Sequence, residues 1–284
     1  MEYTKVGTEA LATLMIGAAL SVLLPLAIAL IWKFKKKEPF TTILIGAATF
    51  MAFAIMLEKP IQNILLFPTQ MMLPDHAIAQ FVNARPILLS LLVALFPGVF
   101  EETGRLVMYK TVLKNRKNRE TAISHGIGHG GFEVIFIMGS TYATYIAYAL
   151  MINSGTFDTV IAQVKEQAPE QLDAMYLLAE QIAAIRFTDL GLGFLERAFA
   201  VLFHIGGSLL VFYACRDKGK FWLYPLAIVL HTAMDFVAAL SYFQLISIST
   251  IGLEAIIAVT GILTFCCAYF LLYRKDKGDQ SGEV

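Results

Sequence analysis

The chain has 284 residues, of which 57% are hydrophobic and 15% are charged, and its mean hydropathy is +0.67. Soluble globular domains carry about 25% charged residues, so the composition excludes an ordinary soluble domain and indicates a polytopic membrane protein. The formal net charge is zero, which gives no support for a nucleic acid as partner. Three cysteines, two of them adjacent at 266 and 267, fit neither a disulfide framework nor a cysteine-ligated zinc site.

Seven apolar segments are long enough to cross the roughly 30 Å hydrocarbon core of a bilayer, and they predict an all-α fold. They span 9–32, 40–57, 86–109, 122–152, 188–214, 221–243 and 249–273. The second is short, and the polar stretch around Pro60 that follows it is interpreted as an interfacial turn. The loop before the fifth segment shows helical periodicity from Pro169 onward, so we expect it to lie along the outer interface.

The whole chain, 1–284, is expected to form one integral membrane domain, with a motif-bearing core at 86–243 and a tail at 274–284. Fifteen of its 22 basic residues fall in four short segments after the odd-numbered spans, at 33–37, 110–119, 216–220 and 274–277. Short loops rich in Lys and Arg stay in the cytoplasm. The pattern therefore predicts an N-terminus outside, a C-terminus in the cytoplasm and a location in a bacterial plasma membrane.

Ionisable residues inside four of the predicted spans are the main candidates for function, because each costs at least a few kcal/mol at bilayer depth. Counted from the basic ends of the helices, most of them lie roughly 12–15 Å deep. Several pairs are four residues apart and so share a helix face. The sequence thus predicts one inward-facing cluster in the cytoplasmic half of spans three to six, formed by Glu101, Glu102, Arg105, His129, Glu133, His204, His231 and Asp235.

Two further groups receive a structural interpretation. Glu196 and Arg197 are adjacent and nearer the outer half, which is typical of an ion pair that serves packing. His125 lies close to the basic boundary and is expected at the interface.

The cluster contains the groups needed for peptide hydrolysis without a covalent intermediate. Arg105 can neutralise one of the adjacent glutamates and leave the other as a general base for a water molecule, while His231 and Asp235 can donate to an oxyanion. Histidines at 129, 204 and 231 with a glutamate would equally suit zinc. A transporter's ion pathway also uses intramembrane acids and histidines, and a non-catalytic binding or immunity protein is a further alternative.

The order of four short motifs resembles the type II CAAX-protease superfamily, and most closely the YhfC family of bacterial membrane peptidases, related to PrsW proteases and to the gamma-secretase subunit APH. The motifs are EETGR at 101–105, HGGFE at 129–133, the histidine of FHIGG at 204, and HTAMD at 231–235. Three departures stand out. Arg105 is one position closer to the glutamates than is usual, the second motif offers both His129 and Glu133, and Asp235 replaces a frequent asparagine.

The resemblance implies a glutamic-type intramembrane endopeptidase that needs no cofactor, with zinc left open as the alternative. Glu101 would be the base that activates water, held in position by Glu102 and Arg105. His204 would line the site, and His231 with Asp235 would stabilise the oxyanion. The expected partners are the lipid bilayer and a membrane-associated peptide or protein, cut near the inner leaflet.

Overall fold

The computed structural model describes residues 3–276, and every regular element in that range is helical. Predictions that concern the tail beyond Asp276, including Lys277 and the side of the C-terminus, lie outside the described residues. Among residues 3–276, seven helices are long and apolar enough to cross a membrane, which confirms the predicted fold class. They are α1 (Thr8–Lys36), α2 (Phe40–Leu66), α4 (Pro86–Lys110), α5 (Glu120–Ser154), α8 (Phe187–Arg216), α9 (Leu223–Tyr242) and α10 (Thr250–Tyr273).

Three shorter helices connect these spans. Helix α3 (Ala77–Asn83) precedes α4, and helices α6 (Phe157–Gln167) and α7 (Leu172–Ala184) lie between α5 and α8. The helical periodicity predicted after Pro169 therefore corresponds to α7, while its position along an interface stays a prediction.

Local sequence explains several helix ends. Pro86 occupies the first turn of α4, where a missing N–H costs nothing. Ser249 caps α10 by accepting a hydrogen bond from the Gly252 N–H at 3.1 Å, which satisfies one of the unpaired donors of the first turn. Gly155 ends α5 with a φ of 79°, a left-handed conformation that glycine adopts without penalty.

The second span corrects the predicted turn at Pro60. Helix α2 does not end at residue 57 but continues to Leu66 through a π-helical segment, Met51–Glu58. A proline inside a helix removes one hydrogen bond and collides with the carbonyl four residues earlier, and a π-bulge is a recurrent way to accommodate such an interruption. The continuation buries Glu58 and Gln62 within the helix bundle.

By their internal contacts, the described residues form two compact units. The smaller unit comprises residues 3–27 and 133–195, and the larger comprises 28–132 and 196–276. Each has its own buried apolar core. The expectation of a single domain over 1–284 stays a prediction.

Hydrogen bonds hold the N-terminal segment of the smaller unit against residues of α5 and α6. Asn153 bonds both the N–H and the carbonyl of Val6 at 2.9 Å, and the Tyr3 hydroxyl donates to Asp158 at 2.6 Å. That hydrogen bond to the carboxylate raises the pKa of Tyr3 to about 12, so the phenol stays protonated at physiological pH.

In the larger unit, three of the basic loops lie at one end, which we call the basic end. Arg116 donates to the Thr42 hydroxyl at the start of α2 at 2.9 Å. Lys110 donates to the carbonyl of Cys215 at 3.3 Å, and Arg216 donates to that of Lys117 at 3.2 Å. The loops at 33–37, 110–119 and 216–220 therefore share one end, as their charge pattern predicts.

Two glycines of α5 set the spacing of the helices around the site. A Cβ on Gly128 would stand 1.9 Å from the carbonyl oxygen of Ile43 in α2. A Cβ on Gly126 would stand 2.6 Å from the Cα of Ile205 in α8. Small residues permit this close approach of backbones in membrane helices, and it carries the histidines of α5 into the interior of the larger unit.

Candidate active site

Four helices of the larger unit bring ionisable side chains into one buried cluster. Helix α4 contributes Glu101, Glu102 and Arg105, α5 contributes His125 and His129, α8 contributes His204, and α9 contributes His231 and Asp235. The first seven are at most 6% exposed. The Asp235 side chain is 30% exposed, so it forms the most accessible edge of the cluster.

Arg105 is fully buried and has a different partner for each of its three nitrogens. Its Nη1 donates to Oε1 of Glu102 at 2.5 Å, its Nε donates to the Ser208 hydroxyl at 3.2 Å, and its Nη2 donates to Nδ1 of His204 at 2.8 Å. A guanidinium has donors only, so Nδ1 of His204 accepts and the ring proton sits on Nε2. The short charge-assisted bond to Glu102 neutralises the buried cation.

Glu101 makes its closest polar contact with a histidine, and Arg105 is further away. Its Oε2 lies 2.8 Å from Nε2 of His129, 3.9 Å from Nδ1 of His204 and 4.0 Å from Nη2 of Arg105. Glu102 is therefore the close counter-ion of Arg105, while the nearest polar contact of Glu101 is His129.

His129 also has an unused nitrogen. Because Nε2 donates to Glu101, Nδ1 is an acceptor, and it is buried without a hydrogen-bond partner in residues 3–276. Its ring centroid lies 5.0 Å from that of His204. A buried acceptor with no partner is costly, so this atom is suited to an ion or a water molecule.

His231 connects the buried ion pair to the exposed edge. Its Nδ1 donates to Oε1 of Glu102 at 2.9 Å, and its Nε2 lies 3.6 Å from Oδ2 of Asp235. The His231 imidazole and the Asp235 carboxylate therefore lie close together at the most accessible edge of the cluster.

Glu133 is one turn beyond His129 on α5 and is also buried, and its part in the site stays a prediction. The contacts of the cluster are made by His129, the other polar group of the second motif. Glu196 and Arg197 form the ion pair expected of them, with Nε of Arg197 donating to Oε2 of Glu196 at 2.7 Å.

Several polar residues around the cluster were missed by sequence reasoning. His125 is fully buried and not interfacial, because its ring lies between the Thr49 hydroxyl at 3.1 Å and the Ser208 hydroxyl at 3.3 Å. The spacing of Ser208, four residues after His204, was the available signal for a shared helix face. Glu58 was missed because the second span was ended at residue 57.

Three groups of the cluster could hold a metal ion. Glu101, His129 and His204 each offer one ligand atom, and these atoms lie within 4.8 Å of one another in a buried position. Two imidazoles and one carboxylate are the donor set of many catalytic zinc sites, which leave a fourth position for water or substrate. The residues present therefore fit a zinc ion.

The fold and the cluster define a class of protein: a multi-pass helical membrane protein with a buried site of glutamates, histidines and an arginine between its spans. The particular family follows from sequence. A family model described as "YhfC intramembrane metalloprotease" matches residues 20–258, and the chain belongs to this family.

One relative matches nearly end to end. "Uncharacterized membrane protein YhfC" of Bacillus subtilis (strain 168) is 30% identical over 272 residues, which cover 95% of this chain and 98% of that protein. No solved structure matches the chain significantly. The description of the family supports an intramembrane protease, while the wider kinship with CAAX and PrsW proteases stays a prediction.

Proposed function

We propose that this chain is an intramembrane peptidase that hydrolyses a membrane-associated peptide or protein, with a zinc ion held by Glu101, His129 and His204. The observation that carries the proposal is the buried convergence of these three donors within 4.8 Å. The neutralisation of Arg105 by Glu102 supports it, because it leaves the Glu101 carboxylate available as a ligand.

When bound, the ion supplies Lewis-acid polarisation of the scissile carbonyl and of a water molecule. The chain's own residues supply the rest. Hydrolysis adds the hydroxyl of water to the carbonyl carbon and a proton to the leaving amine, so one group must take a proton and return it. We assign this transfer to Asp235 with His231, because the two groups are 3.6 Å apart and Asp235 is at the most accessible edge of the cluster.

Arg105 and Glu102 act as positioning residues in this proposal. Glu102 holds Nδ1 of His231 by a hydrogen bond at 2.9 Å, which directs Nε2 toward Asp235. Arg105 joins Ser208 and His204 of α8 to Glu102 of α4. The pair thereby fixes the rings on either side of the reacting groups without contacting the substrate.

A metal-free, glutamic mechanism is the second candidate, and one observation favours it. Arg105 donates to Nδ1 of His204 at 2.8 Å, so this lone pair is already occupied, and the guanidinium lies 4.0 Å from Glu101. A cation so placed opposes a second cation at the same carboxylate. In this mechanism Glu101 itself takes the proton from water, and His231 and Asp235 stabilise the oxyanion.

Cleavage of a membrane-peptide library by detergent-purified protein tests both mechanisms. The zinc mechanism predicts that a chelator abolishes cleavage and that added zinc restores it. The glutamic mechanism predicts that the chelated protein cleaves as fast as the untreated one. Both predict that Glu101→Gln is inactive while Glu196→Gln, a matched intramembrane control, stays active. Activity of Glu101→Gln equal to wild type would overturn the proposed site.

A further inference from the structure

The larger unit contains a cavity next to the buried cluster of ionisable side chains. Its volume is about 690 Å³, within the roughly 300–1,000 Å³ of typical ligand sites. Helices α2, α4 and α9 and the first turn of α10 line it. The wall is largely apolar and includes Phe67, Val93, Pro97, Phe243 and Leu253, and its polar lining includes Lys59, Asn63, Gln70 and Asp235.

The cavity lies in the half of the unit away from the basic end. Helices α2 and α9 both start at the basic end, and the cavity is lined by their far portions, Lys59 to Phe67 and Asp235 to Phe243. Helix α4 runs in the opposite direction and lines the cavity with residues from its first half, such as Val93. The Lys59 side chain is 54% exposed and Tyr242 is 80% exposed. These two residues therefore lie at the mouth of the cavity.

The inner end of the cavity meets the candidate active site. Asp235 lines the cavity and lies 3.6 Å from Nε2 of His231. Asp235 and Tyr242 are seven positions apart, so the route from mouth to cluster is about 10 Å long along α9. The cavity therefore leads from the far end of the unit to the reacting groups.

Glu58 is the buried partner of Lys59, which lines the cavity. Its side chain is 1% exposed and pairs with Lys59, whose Nζ is 3.4 Å from Oε2. Lys59 thereby compensates the charge of Glu58, and Asp235 is the carboxylate of the cavity lining itself.

We infer that this cavity is the substrate channel and that it admits an extended, mainly apolar peptide segment from the membrane face opposite the basic end. The inference rests on the proposed peptidase function and differs from the expectation that the protein cuts near the inner leaflet. Apolar side chains match the wall, and the carboxylate of Asp235 at the inner end disfavours acidic residues beside the scissile bond. Peptides with a neutral or basic residue there are the preferred class.

Thiol labelling tests the channel without relying on cleavage. In protein with Cys215, Cys266 and Cys267 replaced by alanine, Ala238→Cys places a thiol in the cavity wall, and Ser241→Cys places a second one nearer the mouth. Val229→Cys on the same helix, a 62% exposed apolar position, is the control for lipid-facing sites. Lys114→Cys marks the basic end. The probe is a membrane-impermeant, cationic methanethiosulfonate added to either face of sealed vesicles.

We expect Ala238→Cys and Ser241→Cys to react only from the face opposite to the one that labels Lys114→Cys, while Val229→Cys does not react. A short amidated peptide of Leu, Ala and Phe should protect Ala238→Cys, lowering its labelling rate roughly tenfold at about ten times its Kd. Labelling of both cavity thiols from the basic face, no labelling of either, or no protection would overturn the channel.

A second arm separates failure of the channel from failure of the peptidase. Ala238→Trp fills the cavity, and Val229→Trp adds the same side chain on the lipid side. If wild type cleaves the library, Ala238→Trp should lose cleavage while Val229→Trp keeps it, and equal cleavage by both would overturn the channel alone. If wild type binds and is protected by the peptide yet cleaves nothing with or without zinc, the peptidase fails and the channel stands.

Discussion

The adjacent glutamates of α4 have different environments. Glu102 is fully buried and bonds Arg105 and His231, so it serves as the counter-ion that holds the cluster together. Glu101 is 6% exposed and faces His129 and His204. In the proposed function, Glu102 therefore holds the cluster together and Glu101 takes part in the chemistry.

This division predicts a loss of stability of different size for two equivalent substitutions. Glu102→Gln leaves the Arg105 guanidinium buried without its carboxylate, and breaking a buried ion pair from one side costs about 3–5 kcal/mol. Glu101→Gln keeps a hydrogen-bonding group opposite His129, so its cost should be about 1 kcal/mol. Thermal unfolding in detergent measures both. Equal midpoints for the two variants would contradict the division.

Sequence spacing could bring these residues to one face but could not divide their roles. Arg105 is three residues from Glu102 and four from Glu101, and both spacings place side chains together on a helix. Arg105 pairs with Glu102 because Ser208 and His204 of α8 bind the other two guanidinium nitrogens. Such contacts depend on tertiary packing, which a single sequence does not show.

At the scale of elements, apolar runs predict the seven spans well, because the length needed to cross a bilayer is fixed by its thickness. The error at α2 comes from reading Pro60 as the end of a helix. The π-helical segment Met51–Glu58 accommodates the proline, and the helix continues to Leu66. Neighbouring helices can stabilise such an interruption in a membrane, and local sequence does not show whether they do.

The tight crossing of α2 and α5 predicts a strong effect of one methyl group. In Gly128→Ala the new Cβ would stand 1.9 Å from the Ile43 carbonyl oxygen, a backbone atom that can yield only if a helix moves. Overpacking costs about 1–3 kcal/mol or more, so the unfolding midpoint should fall. Gly191→Ala is the matched control, because nothing lies within 4 Å of its Cβ. Equal midpoints for the two variants would contradict the close crossing.

At the scale of the whole molecule, the charge pattern predicts sidedness. The basic loops that meet at one end of the larger unit are expected in the cytoplasm, since positively charged loops are retained there. The cavity then opens toward the outside. Cysteine labelling on intact cells tests this orientation directly.

With the native cysteines replaced, Gln70→Cys should react with a membrane-impermeant maleimide on intact cells, because Gln70 lies in the exposed turn after α2. Lys114→Cys, in a loop at the basic end, should react only after the cells are permeabilised. The reverse pattern would show that the basic end faces outward and that the predicted orientation is wrong.

The central claim is that Glu101, His129 and His204 together hold a zinc ion, and elemental analysis of purified protein tests it most directly. The account predicts about one zinc per chain in the wild type and a loss of most of it in His129→Ala and in His204→Ala. His76→Asn should keep full occupancy, since His76 caps α3 outside the cluster and asparagine is also a good N-cap. If the wild type cleaves its substrate but contains no more zinc than His129→Ala, the zinc site is contradicted. Catalysis would then be assigned to Glu101 alone.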